Sequence, residues 1–259
     1  MIPVLAVQLG RIGDLLNILP PCRWLGIKHV LVHPQFETAL RGQSYVEPVL
    51  WEGDIENLRA AVERAQTLAQ KVVVPQLFGR LQPEGLPSRF RPSFVQDQWD
   101  RLKPGLGDFW GRLPLVFDQR SAERERQLVS AVADARPLLL VNLSSTSSPC
   151  SSWYQKALWA YLREKWTQFA LVDVGMLRPV AYCDLLGLYD KAVGLITVDT
   201  ASLHLAVGCP TLPVFRFIRP DHDATPMLPG WDGQPYKYDG MDRIEFFLSR
   251  LSRFGGQER

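Results

Sequence analysis

A chain of 259 residues, 46% of them apolar and 22% charged, is long enough for two compact domains or one large α/β sheet, and its composition excludes global disorder. A formal charge of +2 creates no global field that selects nucleic acid or an acidic membrane, so an anionic partner has to be read from local patches. Cys22, Cys150, Cys183 and Cys209 form no CxxC pair and suggest neither a zinc ribbon nor a disulfide framework; no apolar run reaches the roughly 18 residues of a membrane span.

Met1 to Gln8 carries no basic leader and runs directly into a strand pattern, so the protein is expected to be cytoplasmic, with at most peripheral membrane contact. Val4 to Val7 reads as the first strand, followed by a helix from about Asp14. His29 to His33 is the second strand, with a short helix over Pro34 to Leu40. Val49 to Trp51, a helix over Ile55 to Gln70 with Asp54 as its N-cap, and the strand Lys71 to Pro75 complete an open parallel sheet. Leu77 to Leu115 reads as decorated loop, with one helix over Ser93 to Lys103 carrying Trp99.

A charged helix over Asp118 to Ala133 leads into a second series. Its strands are Leu138 to Asn142, Phe169 to Val174, Gly194 to Val198 and Thr211 to Phe215; its helices are Tyr154 to Lys165, Val180 to Asp190 and Ser202 to Gly208. After a loop over Arg216 to Gly240, Met241 to Arg253 has the pattern of a closing amphipathic helix. The expected division is a domain over 1–120, a second over 121–240, and a C-terminal helix within 241–259 that packs back on the first.

Three polar turns follow apolar strands and precede helices, the position at which backbone N–H groups meet anions. In Gln8-Leu9-Gly10-Arg11-Ile12-Gly13-Asp14 the glycines suit close approach of a ligand, but their spacing matches neither the dinucleotide fingerprint nor a P-loop. Asp14 admits two readings, a helix N-cap or a general base towards a hydroxyl. Asn142-Leu143-Ser144-Ser145-Thr146-Ser147-Ser148 is either an uncharged phosphate cradle or a solvated serine-rich loop. In Val198-Asp199-Thr200-Ala201-Ser202-Leu203-His204, Asp199 can accept from ribose hydroxyls and Thr200 to Ser202 can present N–H groups to a diphosphate. Capping accounts for Ser202 and core packing for His204, but neither accounts for the whole run.

The stretch from Asp184 through Asp199-Thr200-Ala201-Ser202-Leu203-His204-Leu205-Ala206 to Pro210-Thr211 resembles the signature of the lipopolysaccharide heptosyltransferase family. Arg11-Ile12-Gly13-Asp14-Leu15 to Pro20 resembles that family's Gly-Asp element, and Ser144 to Trp153, Trp159 to Leu162 and Phe215 to Pro226 resemble further segments in the same order. The resemblance implies a GT-B fold, an α/β architecture of two Rossmann-like domains with parallel sheets facing a cleft. It also implies an inverting, metal-independent glycosyltransferase with no cofactor beyond its nucleotide-sugar donor, which is of ADP-sugar type. On this resemblance Asp14 is the base, while Gly13, Ser144, Ser145, Thr146, Asp199, Thr200, Ala201, Ser202 and His204 form the donor site.

The chain departs from the family in being short, in having Ala201 for a glycine, and in placing Ser151-Ser152 before Trp153 where the family has a basic residue. The phosphate charge then falls to Arg11, Lys156, Arg216 or Arg219. Between Lys71 and Arg112, basic residues interleave with Phe78, Phe90, Phe94, Trp99 and Trp110. Such a mixture suits a phosphorylated glycan or nucleic acid, or else is solvated loop with core aromatics. The expected acceptor is an anionic, lipopolysaccharide core-like glycan. A modified DNA base is the less favoured acceptor, and a non-catalytic sugar-nucleotide or glycan-binding protein is the alternative from another class.

Overall fold

Short apolar runs alternating with amphipathic stretches form two parallel sheets, as seen in a computed structural model that describes residues 1–75, 94–105, 113–145, 151–218, 231–235 and 241–254. The described residues divide into a first unit, up to residue 120 with the segment 180–183, and a second unit built from the remainder. The mixed α/β class expected from the sequence is the one observed.

In the first unit, β1 (Ile2–Val7), β2 (His29–Val32), β3 (Glu47–Leu50) and β4 (Ala69–Val73) lie parallel in the order β3-β2-β1-β4. The chain winds outward from β1 to β3 and then returns to the other side of β1, so β1 and β4 flank the topological switch point, where open sheets of this kind take ligands. One face of the sheet buries Leu5, Val7, Leu9 and Leu31 against Leu58, Ala61 and Ala65 of α2 (Leu58–Leu68). Helix α2 starts later than expected, because Asn57 rather than Asp54 caps it: Asn57 Oδ1 accepts from the Ala60 N–H at 3.1 Å, while Asp54 Oδ1 accepts from the Glu56 N–H in the preceding turn. The expected second helix over Pro34–Leu40 is a 3-10 helix.

Helix α1 (Ile12–Leu25) contains Pro20 and Pro21 in its interior and ends at Gly26, which adopts φ 67°. Pro21 has no N–H to donate to the carbonyl one turn back, that of Asn17. The indole N–H of Trp99, on α3 (Phe94–Leu102), donates to this carbonyl at 2.8 Å. Trp99 is thereby a core residue that completes a proline-broken helix.

The second unit carries β5 (Leu138–Asn142), β6 (Ala170–Asp173), β7 (Ala192–Thr197), β8 (Val214–Ile218) and β9 (Asp232–Pro235), parallel in the order β6-β5-β7-β8-β9. Its switch point lies between β5 and β7. Strand β9 was not expected: Asp-Gly-Gln-Pro has no apolar pattern, and an edge position is where a parallel sheet tolerates such a sequence. Helix α4 (Ala122–Ala131) is capped by Ser121 and is shorter than expected. The helix expected over Val180–Asp190 resolves into a 3-10 turn, Tyr182–Leu185, and the single-turn α6 (Leu186–Tyr189).

Leu139, Val141, Ile196, Val198, Phe215 and Phe217 line one face of the second sheet. They pack with Leu158 and Leu162 of α5 (Ser152–Lys165) and with Ile244, Phe247, Leu248 and Leu251 of α8 (Asp242–Phe254). The closing helix therefore belongs to the second unit's core.

Candidate functional site

At the end of β1 the chain turns tightly between two side chains. Gln8 is fully buried, and its Oε1 accepts from the Gly10 N–H at 2.9 Å. Arg11 is the N-cap of α1, and Asp14, three residues on, accepts from the Arg11 N–H through Oδ2 at 2.9 Å. Asp14 is thus not the N-cap that one sequence reading allowed; it reaches back to the cap residue's backbone from the first turn. The partly buried carboxylate is held at the C-terminal edge of β1, beside the switch point, with Gly13 buried behind it and Arg11 exposed.

The second unit has a more elaborate arrangement at its own switch point, with Asn142, the last residue of β5, as its hub. The Asn142 Nδ2 donates to Ser202 Oγ at 2.7 Å and approaches Thr200 Oγ1 at 3.5 Å, while its Oδ1 accepts from the Ser144 N–H at 3.1 Å. Ser145 Oγ donates to the Asp199 carbonyl at 2.9 Å, a second tie between the two loops. Thr200 caps α7 (Ala201–Ala206) through its Oγ1, which accepts from the Ser202 N–H and lies 3.3 Å from Thr197 Oγ1. Asp199 Oδ1 stands 3.3 Å from His204 Nε2, an ion pair when the imidazole is protonated.

The two polar loops singled out in the second half are therefore one hydrogen-bonded frame. Within it, Ser202 does not present its N–H outward as expected: the N–H goes to Thr200, the hydroxyl to Asn142, and the residue is buried. Ser144, Ser145, Asp199, Thr200 and Ala201 lie at the partly exposed rim. Lys156 is exposed on α5. Arg216, expected in a loop, lies on β8 and is buried, whereas Thr146, Arg219 and most of the basic and aromatic patch between Lys71 and Arg112 fall outside the described residues.

Sequence reasoning did not anticipate the role of Asn142, nor Thr197 and Asp173. The only available signal was a polar residue closing an apolar strand, since both Asn142 and Asp173 end their strands. Asp173 caps the following 3-10 turn by accepting from the Gly175 N–H at 3.0 Å, and burial pushes its carboxyl above the usual range. Cβ on Gly175 would fall 2.9 Å from Asn142 Oδ1, so this turn is packed against the hub. Among the described residues, no group of three or more His, Cys, Asp or Glu side chains is placed to hold a metal ion, and no helix is long and apolar enough to cross a membrane.

No family model and no curated protein matches the sequence. Solved structures do match over nearly the whole chain. A glycosyl transferase family 9 protein from Veillonella parvula DSM 2008 aligns with 96% of this chain and 88% of its own, at 13% identity and a TM-score of 0.59. The E. coli heptosyltransferase WaaC, solved with ADP-2-deoxy-2-fluoro heptose, aligns with 96% of this chain and 99% of its own, at 14% identity and a TM-score of 0.52. The two-sheet α/β fold is thus that of these glycosyltransferases.

Proposed function

We propose that the protein is an inverting glycosyltransferase that moves a hexosyl or heptosyl group from a nucleotide diphosphate donor to a hydroxyl of an anionic glycan. The observation that carries the reading is the Asn142-centred frame, which joins Ser144 and Ser145 to Asp199, Thr200 and Ser202 at the switch point of the second sheet. Fixed hydroxyls and backbone dipoles at such an edge suit a leaving diphosphate, because they need no reorganisation as charge develops. The ADP-heptose analogue bound to the E. coli neighbour supports a nucleotide-sugar of ADP type.

In this reading Asp14 removes the proton from the acceptor hydroxyl. The oxygen attacks the anomeric carbon, a new C–O bond forms, and the bond to the diphosphate breaks on the opposite face, its electron pair leaving with the phosphate. No step is assigned to a metal. Asp199 and Thr200 orient the nucleotide, and the Asp199–His204 contact fixes the Asp199 side chain.

A thermal-shift panel of nucleoside diphosphates tests donor binding, since a ligand specific for the folded state raises apparent stability. Turnover of the donor so identified, by wild type and Asp14→Ala, tests the base. Binding by both with turnover only by wild type is expected. Turnover that survives Asp14→Ala removes Asp14 from the mechanism, and binding without turnover by either protein supports a non-catalytic nucleotide-sugar binder. Retention on DNA that falls steeply with salt would favour the nucleic-acid acceptor instead.

A further inference from the structure

Resting on the proposed donor chemistry, we infer that Arg216 is the cation that meets the donor's diphosphate, in place of the basic residue that Ser151 and Ser152 replace before Trp153. Asn142 of β5 pairs with Thr197 of β7, and Thr197 pairs with Arg216 of β8. Residues in register on a parallel sheet share a face, and their immediate neighbours Val141, Ile196 and Phe215 occupy the opposite, apolar face. Asn142, Thr197 and Arg216 therefore form a polar row on the face where Thr200 and Ser202 make their contacts.

This row is buried, with Asn142 at 6%, Thr197 at 0% and Arg216 at 7% exposure. Neighbouring strands are about 4.8 Å apart, so the Arg216 backbone stands one strand from Thr197 and about 10 Å from Asn142. Of the candidate cations that the structure describes, Lys156 and Arg11 are exposed, whereas Arg216 is buried. Among the described candidates, Arg216 is the one built into the frame's own row. Its guanidinium carries five donors in a fixed fork, enough to serve an internal acceptor and two phosphate oxygens together. A lysine on a surface helix offers no such fixed geometry.

The test compares binding of a nucleoside and its diphosphate, from the base that gives the strongest thermal shift, to wild type, Arg216→Gln and Arg216→Lys by calorimetry. Ligand-free melting serves as the control for folding. The expected result is a wild-type preference for the diphosphate that shrinks by at least about tenfold in Arg216→Gln, with nucleoside affinity unchanged. Arg216→Lys keeps the charge but not the fork and is expected to lose about threefold or more. Should the glutamine variant not fold, the lysine variant decides. An undiminished diphosphate preference in a folded variant overturns the inference while leaving the donor reading intact. Failure of wild type to bind any nucleoside diphosphate overturns both.

Discussion

Gly10→Ala adds one methyl group to the tightest turn of the first unit. An added Cβ would lie 2.5 Å from Asp14 Oδ2 and 2.8 Å from Gln8 Oε1, where ordinary contact begins at 3.4 Å. Gly10 does not adopt a positive φ, so the backbone accepts alanine and the whole effect is steric. Gln8 is fully buried, whereas Asp14 is partly exposed and meets the new methyl with both Oδ2 and, at 2.8 Å, its own Cβ, so the adjustment falls mainly on Asp14, whose Oδ2 is displaced by about 0.9 Å. Its 2.9 Å bond to the Arg11 N–H is strained at the same time. Overpacking of this kind costs on the order of 1–2 kcal/mol in stability. Displacement of a base by nearly 1 Å costs about a hundredfold in rate, equivalent to about 2.7 kcal/mol in the barrier. Steady-state turnover and urea unfolding separate the two effects. The expected outcome is kcat lower by about a hundredfold, with donor KM within about threefold because the proposed donor site is on the other unit. Gly10→Ala added to Asp14→Ala should cost almost nothing further, since the methyl acts through the carboxylate. Turnover within about threefold of wild type, or a double variant that loses another hundredfold, would refute the reasoning.

Asn142→Asp should fold, because Ser202 Oγ can turn to donate to the new carboxylate. The negative charge beside the proposed phosphate site should weaken diphosphate binding by about tenfold or more while sparing the nucleoside, and equal losses for both in calorimetry would count against the frame as a phosphate cradle. Trp99→Phe leaves the Asn17 carbonyl without the donor that stands in for the missing Pro21 N–H; urea unfolding should register a loss of about 1–3 kcal/mol, and a change below about 0.5 kcal/mol would show that the carbonyl finds another partner. Ser44 donates its hydroxyl and its backbone N–H to Asp118, at 2.5 and 2.7 Å, and these bonds hold the carboxyl below its usual range. A depressed folded pKa contributes stability above the unfolded value near 4, which is lost as pH falls through the folded value. Asp118→Asn should therefore be less stable than wild type at pH 7, and the deficit should close on acidification below about pH 4; a deficit constant down to pH 2 would exclude this linkage.

The strands were legible because a strand buried on both faces reads as an uninterrupted apolar run, as in Leu138 to Val141. Helix starts were less so. Asp54 and Asn57 are both good caps three residues apart, and what distinguishes them is which one the first core residue of α2, Leu58, follows directly. Strand β9 carries no apolar signal in its Asp-Gly-Gln-Pro sequence and is recognised by its parallel pairing with β8. The partner of Asn17 was equally invisible: that a tryptophan 82 positions away completes α1 follows from tertiary packing, although the Pro20-Pro21 pair that creates the need is plain in the sequence.

At the candidate site, the sequence reveals which turns are polar but not how their atoms are shared. Ser202 and Thr200 look equivalent in the run from Asp199 to His204. The structure separates them, with Ser202 inside the frame and Thr200 at its rim. The difference originates at Asn142, some 60 positions earlier, whose single amide serves Ser144 on one loop and Ser202 on the other. Arg216 shows the same dependence on register. In the sequence it opens a loop rich in proline, glycine and aspartate; extension of β8 to Ile218 brings it level with Thr197 and Asn142. A polar row whose members on three strands span more than 70 residues of sequence leaves no local pattern, because each member interrupts its own apolar run only once. Their chemistry becomes readable only when the parallel pairing sets them side by side at the edge where such sheets hold phosphate.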